Sequence, residues 1–166
     1  MNQSYAEAGV KRKDTPATMG LRALYILGIF CGIIILFTGS VFGIIGAAVI
    51  VLVFYMFPRL NVEYEYVYCD GQLDFDKISG KVKRKHLIRI DFEQADIMAP
   101  LNSHALDGYT HMNNIEVKDF TSRDKDSKVF VIIASHGEKK AKILFEPSET
   151  MIASIKQKCP RKVVLF

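Results

Sequence analysis

The sequence predicts an α+β protein in which an N-terminal transmembrane helical hairpin precedes a mainly-β domain closed by a C-terminal helix. Three observations lead to this. Residues 23–57 contain no charged side chain. From Val62 onward, apolar and polar residues alternate with period two. Near the C-terminus, Met151, Ile152, Ile155 and Cys159 recur at helical spacing. The 166 residues hold 22 Lys and Arg against 18 Asp and Glu, and the mean hydropathy of +0.13 averages two unlike parts.

The apolar stretch covers residues 21–57, with Arg22 as its only charge, at the edge. As a single helix it would be about 55 Å long at 1.5 Å per residue. The hydrocarbon core of a bilayer is only about 30 Å thick. Thr38-Gly39-Ser40 interrupts the stretch near its middle and supplies turn residues. Two short spans joined by a tight turn near 38–40 follow. Gly28 and Gly32 share one face of the first span; Gly43 and Ala47 share one face of the second, with Gly46 beside them. Counted from Gly39, Gly32 and Gly46 lie at equal depth. Small residues so spaced let two helices approach closely in lipid, so these five are the candidate helix-packing positions. A cleaved signal peptide would have an apolar core of only about 7–15 residues. Lys11, Arg12, Lys13 and Arg22 precede the first span and Arg59 follows the second, while the turn is uncharged. Positive flanks stay in the cytoplasm, so a multi-pass protein of the cell membrane with both termini cytoplasmic is expected. Residues 1–20 read as a polar, basic tail.

Pro58 ends the second span, because proline cannot continue the helical hydrogen-bond ladder. The domain over residues 58–166 follows. Val62-Glu63-Tyr64-Glu65-Tyr66-Val67-Tyr68 alternates and is rich in aromatic and β-branched residues, which predicts a strand. Asp70-Gly71 predicts a hairpin turn, since glycine accepts positive φ. Strands are expected over 73–78, 86–92, 95–98, 115–120, 129–135 and 140–145. Turns are expected at Gly80, over 121–127 and at His136-Gly137-Glu138, with a loop over 101–113. A helix near 147–159 completes the domain. Pro147 suits its first turn, Glu149 complements the positive end of its dipole, and Pro160 stops it.

Seven strands and then one amphipathic helix, together with the Tyr64-Glu65-Tyr66 … Asp70-Gly71-Gln72-Leu73-Asp74 run, resemble a pleckstrin-homology-like (PH-like) barrel. That resemblance implies strands in meander order and a capping helix over one open end. The combination with an N-terminal hairpin resembles a family of small bacterial membrane proteins of uncharacterised role.

The residues of catalysis are hard to assemble here. His104, Asp107 and His111 share one loop, but their spacing matches no zinc pattern, and no metal is expected. Neither a glycine-rich phosphate loop nor a nucleophile elbow is present. Without an acid–base–nucleophile set, no enzyme and no cofactor are expected. The mild basic balance argues against a nucleic-acid partner. Cys31 lies in the apolar stretch, and Cys69 and Cys159 form no disulfide framework; free thiols fit a reducing compartment.

Lys77, Lys81, Lys83, Arg84, Lys85 and Arg89 make a basic run over 77–89 without an acidic residue. Lys81, Lys83, Arg84, Lys85 and Arg89 are the candidate lipid contacts, since a basic residue near an anionic leaflet contributes about 1 kcal/mol. A solvated strand edge is the competing reading, because lysines also discourage edge-to-edge aggregation. The first functional expectation is a membrane-anchored, non-enzymatic interaction or scaffold protein, offering an edge strand or groove to an unknown protein partner. The alternative is an anionic-lipid-sensing or membrane-organising module that uses the basic run.

Overall fold

In the computed structural model, the residues described are 5–39, 41–110, 115–136 and 139–165. The elements in chain order are β1 (Tyr5–Lys11), α1 (Pro16–Leu36), α2 (Phe42–Met56), β2 (Val62–Cys69), β3 (Gln72–Ser79), β4 (Lys83–Asp91), β5 (Ala95–Pro100), α3 (Asp107–Thr110), β6 (Ile115–Asp119), β7 (Phe130–His136), β8 (Lys139–Phe145) and α4 (Glu149–Lys158). Single 3₁₀ turns at Phe57–Leu60 and His104–Leu106 complete them. The chain divides into two compact units. A sheet unit takes the chain up to Arg12, residues 63–77 and everything from Arg84 onward. A helical unit takes residues 13–62 and 78–83.

The sheet unit begins with a strand where the sequence reads as a tail. β1 pairs antiparallel with β2 over seven positions, from Tyr5 opposite Cys69 to Lys11 opposite Glu63. Its alternation is carried by Ala6, Ala8 and Val10, side chains too small to announce a strand, and only Ala6 is fully buried. The helical hairpin is therefore an insertion between two paired strands.

The strands form two four-stranded sheets, in the orders β1-β2-β3-β4 and β5-β7-β8-β6. The expected barrel is not formed: no ladder joins the two sheets among the described residues. After β4 the chain turns at Asp91–Gln94, where the Gln94 amide donates to the Asp91 carbonyl at 3.0 Å. β5 then pairs with β7. Its Met98 also meets the C-terminal segment, with Met98 N–H donating to Lys162 O at 2.7 Å and Val164 N–H donating to Met98 O at 2.9 Å. The meander order fails at one place as well. β6 runs parallel to β8, while β7 lies antiparallel to both β5 and β8. Residues 120–129 are long enough to carry the chain across, so β6 need not pair with its sequence neighbour.

Period-two alternation builds the core. Tyr64, Tyr66 and Tyr68 point to one face of β2, and Tyr66, Leu73, Phe75 and Phe145 are wholly buried. The Phe75 ring lies 5.5 Å from Tyr66, 5.1 Å from Phe120 and 5.6 Å from Phe145, so the two sheets meet through aromatic contacts. Each such pair contributes about 0.5–1.5 kcal/mol beyond its area of burial. Tyr66 hydroxyl donates to the Phe120 carbonyl, and burial pushes its phenol far above the ordinary value, so it stays neutral. Ser148 caps α4 by accepting from the Met151 amide at 3.2 Å, which puts Pro147 just before the helix and not within it. Met151 and Ile155 are buried on its inner face. The expected loop over 101–113 contains the short turns His104–Leu106 and Asp107–Thr110, whereas His111 and Asn113 lie outside the described residues, as do Gly137 and Glu138 of the expected turn.

Where β1 ends, Arg12 fixes the chain. Its guanidinium donates to Tyr64 Oη at 2.6 Å and to Asp119 Oδ2 at 3.3 Å. Asp119 Oδ1 also accepts from the Thr121 hydroxyl at 2.7 Å and the Thr121 amide at 3.0 Å. Burial raises the Asp119 pKa, but the Thr121 hydrogen bonds and the Arg12 charge outweigh it, so the carboxyl lies below its ordinary value. A depressed folded pKa contributes stability above the unfolded value, and that stability is lost as pH falls through the folded one. Unfolding midpoints of the full-length protein in detergent should therefore drop on acidification below about pH 4, the ordinary aspartate range. Asp119→Asn should cost about 1 kcal/mol near neutral pH and flatten that acid limb. An unchanged limb would contradict the assignment.

Candidate functional site

The helical unit starts earlier than the apolar stretch suggests. Thr15 caps α1 by accepting from the Thr18 amide at 3.2 Å, and Pro16 occupies the first turn, where its missing N–H costs nothing. Gly39 sits in the connection between α1 and α2 with φ of 65°, a conformation glycine adopts freely; Ser40 lies outside the described residues.

The two helices touch most closely at Gly32 and Gly46. A Cβ on Gly46 would lie 2.6 Å from the Gly32 carbonyl oxygen, and one on Gly32 would lie 2.9 Å from Ile50 Cγ1. A Cβ on Gly43 would meet the Leu36 carbonyl at 3.3 Å. At Gly28 the nearest atom is Val53 Cγ2 at 3.8 Å, an ordinary contact, and Ala47 is half-buried. Of the five packing positions, then, Gly32, Gly43 and Gly46 are the ones that admit no side chain without movement. The outer faces remain apolar and exposed, with Leu24, Leu27 and Phe30 on α1 and Ile44, Val51 and Phe54 on α2. Pro16–Leu36 and Phe42–Leu60 are each long and apolar enough to cross a membrane, by length and composition. Arg22, the one charge in the helices, is neutralised at their base: its guanidinium donates to Asp14 Oδ1 at 2.9 Å and Asn61 Oδ1 at 2.8 Å.

The basic run separates into two sets. On the sheet unit, Arg84 pairs with Glu65 and, at 2.8 Å, with Asp76. Arg89 makes a two-pronged contact with Asp74, at 2.6 and 2.9 Å, and the Asp74 hydrogen bond raises its pKa above the ordinary value. His86 Nδ1 lies 3.0 Å from Asp76 Oδ1. Asp74 and Asp76 stand on β3, next to β4, and Glu65 stands one strand further on, on β2. Two of the five candidate lipid contacts, Arg84 and Arg89, are thus engaged within the sheet. The signal for this was Asp74 and Asp76 alternating on the strand before the basic one. Lys81, Lys83 and Lys85 are exposed, and among the described residues no ion pair involves them.

Two further features belong to the sheet unit. His104 Nδ1 lies 3.3 Å from Asp107 Oδ2, both fully or largely exposed, and no group of three or more metal-ligating residues exists among the described residues. An open groove of about 920 Å³ runs beside α4, with Leu101, Val129, Phe130, Ile152, Ala153 and Leu165 along its apolar wall.

The hairpin contact gives a direct expectation. Gly46→Leu should lower the thermal stability of the protein in detergent by about 1–3 kcal/mol, the usual cost of overpacking. Gly20→Leu, where nothing lies within 4 Å, should change it by less than about 0.5 kcal/mol. Equal effects would place the helix contact elsewhere.

No curated protein and no solved structure matches the chain. One family model does, over residues 2–165, and it runs through β1, the hairpin and both sheets. The chain therefore belongs to the family described as bacterial PH-like domain (DUF6106).

Proposed function

We propose that this protein is a membrane-anchored, non-enzymatic interaction protein. Its hairpin spans the membrane, both hairpin ends emerge on the cytoplasmic side, and the PH-like domain offers its α4 groove to a protein partner there. The pairing of β1 with β2 supports this reading best. The strand before the hairpin and the strand after it are hydrogen-bonded neighbours, so the chain must return to the side it left. Two crossings satisfy that requirement and a single crossing does not. Charge sets the side: Lys11, Arg12, Lys13, Arg22 and Arg59 flank the base, and the connection carries none. Cys69 and Cys159 are free thiols, in keeping with a reducing compartment. The groove is apolar along one wall and charged at its rim by Lys128, Glu149 and Lys156, a pattern suited to a peptide with an apolar anchor.

Cys69 is exposed and supplies a native reporter of sidedness. A membrane-impermeant maleimide should label it in inverted vesicles and leave it unlabelled in intact cells until they are permeabilised. Labelling in intact cells would overturn the topology. A photocrosslinker at Ile152, in the groove, should yield one discrete adduct in cells, and a crosslinker at exposed Val117 on β6 should not. The absence of any Ile152 adduct would remove the interaction role.

A further inference from the structure

The turn between β3 and β4 belongs to the helical unit, unlike the rest of the basic run from Arg84 onward. Gly80 and Lys81 have φ of 64° and 61°, the successive left-handed residues of a type I′ hairpin turn. Lysine is an unusual occupant of that conformation, which glycine, asparagine and aspartate fill more readily. The turn is tied to the end of α2. Gly80 N–H donates to the Asn61 carbonyl at 2.9 Å, and a Cβ on Gly80 would lie 3.1 Å from the Pro58 carbonyl oxygen. Asn61 in turn holds Arg22 at the base of α1. Beside them the Arg59 guanidinium stacks on the Tyr55 ring at 4.1 Å, an aromatic and basic pair of the kind found where helices leave a bilayer. The turn therefore sits at the helix exit. What it presents is Lys81, Val82 and Lys83, all exposed, with Val82 at 90%.

We propose that the Lys81-Val82-Lys83 tip is a membrane-contact element: the two ammonium groups bind anionic headgroups of the leaflet from which the hairpin emerges, and Val82 enters the interface between them. This rests on the reading that the hairpin spans the membrane. An almost fully exposed valine between two lysines has no core to serve, and lysine stems lie comfortably along apolar surface with their heads in water. Anionic headgroups complement both charges, and the tie to Asn61 holds the tip where those headgroups would be. The arginines of the same run are excluded from this role by their carboxylate partners.

The chain contains no tryptophan, so a single introduced one is a clean probe. Full-length Val82→Trp and Phe30→Trp proteins, the second on the exposed face of α1, would be reconstituted into vesicles with brominated acyl chains. Phosphatidylglycerol vesicles would be compared with phosphatidylcholine vesicles. Phe30→Trp should be quenched in both, as a spanning helix requires. Val82→Trp should be quenched by lipid brominated near the headgroup, more strongly with phosphatidylglycerol. Adding Lys81→Glu and Lys83→Glu should remove that excess. If Val82→Trp stays unquenched while Phe30→Trp is quenched, the tip contact is wrong and the anchor stands. Quenching indifferent to lipid charge and to both lysines would overturn headgroup binding. An unquenched Phe30→Trp would overturn the anchor and this proposal together.

Discussion

β1 and β2 are next to each other in the sheet and far apart in the chain, with both helices lying between them. Such pairing normally carries a loop-closure cost that grows with the length enclosed. Here the enclosed segment brings its own ends together. Two helices packed through Gly32 and Gly46 form a hairpin, and the Arg22 contacts to Asp14 and Asn61 join its base. The sheet can then complete its first pair at little further entropic cost. Arg12, the residue that leaves β1 for the helices, is held by Tyr64 and Asp119 within the sheet unit itself. The family match covers residues 2–165, so both strands and the hairpin between them fall within it.

The same economy governs charge. The chain is basic overall, yet both arginines of β4 are paired with carboxylates, Asp74 and Asp76 on the adjacent β3 and Glu65 on β2. Exposed pairs of this sort are worth only about 0–1 kcal/mol each, so they do little for stability. Their effect is to subtract the arginines from the surface potential. Within the basic run, Lys81, Lys83 and Lys85, at and beside the β3–β4 turn, take part in no ion pair among the described residues. A count of basic residues along the chain cannot separate the two sets, because the separation depends on which strand lies next to which.

Much of the architecture was legible in the sequence, and the exceptions have physical causes. The helices, β2 to β8 and α4 announce themselves through periodicity, turn residues and caps. β1 does not, because its less exposed positions are two alanines and one valine and its partner is distant in sequence. The cap at Thr15-Pro16 was readable, although the hydropathy pattern alone drew attention to Leu21. Barrel closure could not be read, since it depends on edge pairing between strands that are each locally ordinary; the C-terminal segment beside Met98 occupies one such edge. The parallel β6–β8 pair is likewise a matter of where a connection crosses and leaves no mark on alternation. The small residues of the helices were visible, but only geometry distinguishes Gly46, with a carbonyl at 2.6 Å from a would-be Cβ, from Gly28 at 3.8 Å.

The central claim is that the hairpin interrupts a sheet whose first strand comes before it. Hydrogen exchange on the full-length protein in lipid nanodiscs tests this most directly. The amides of Tyr5–Lys11 that point toward β2 should be protected to the same degree as those of Val62–Cys69, because the two strands open together. Exchange of Tyr5–Lys11 at the rate of an unstructured tail, with Val62–Cys69 still protected, would contradict the account.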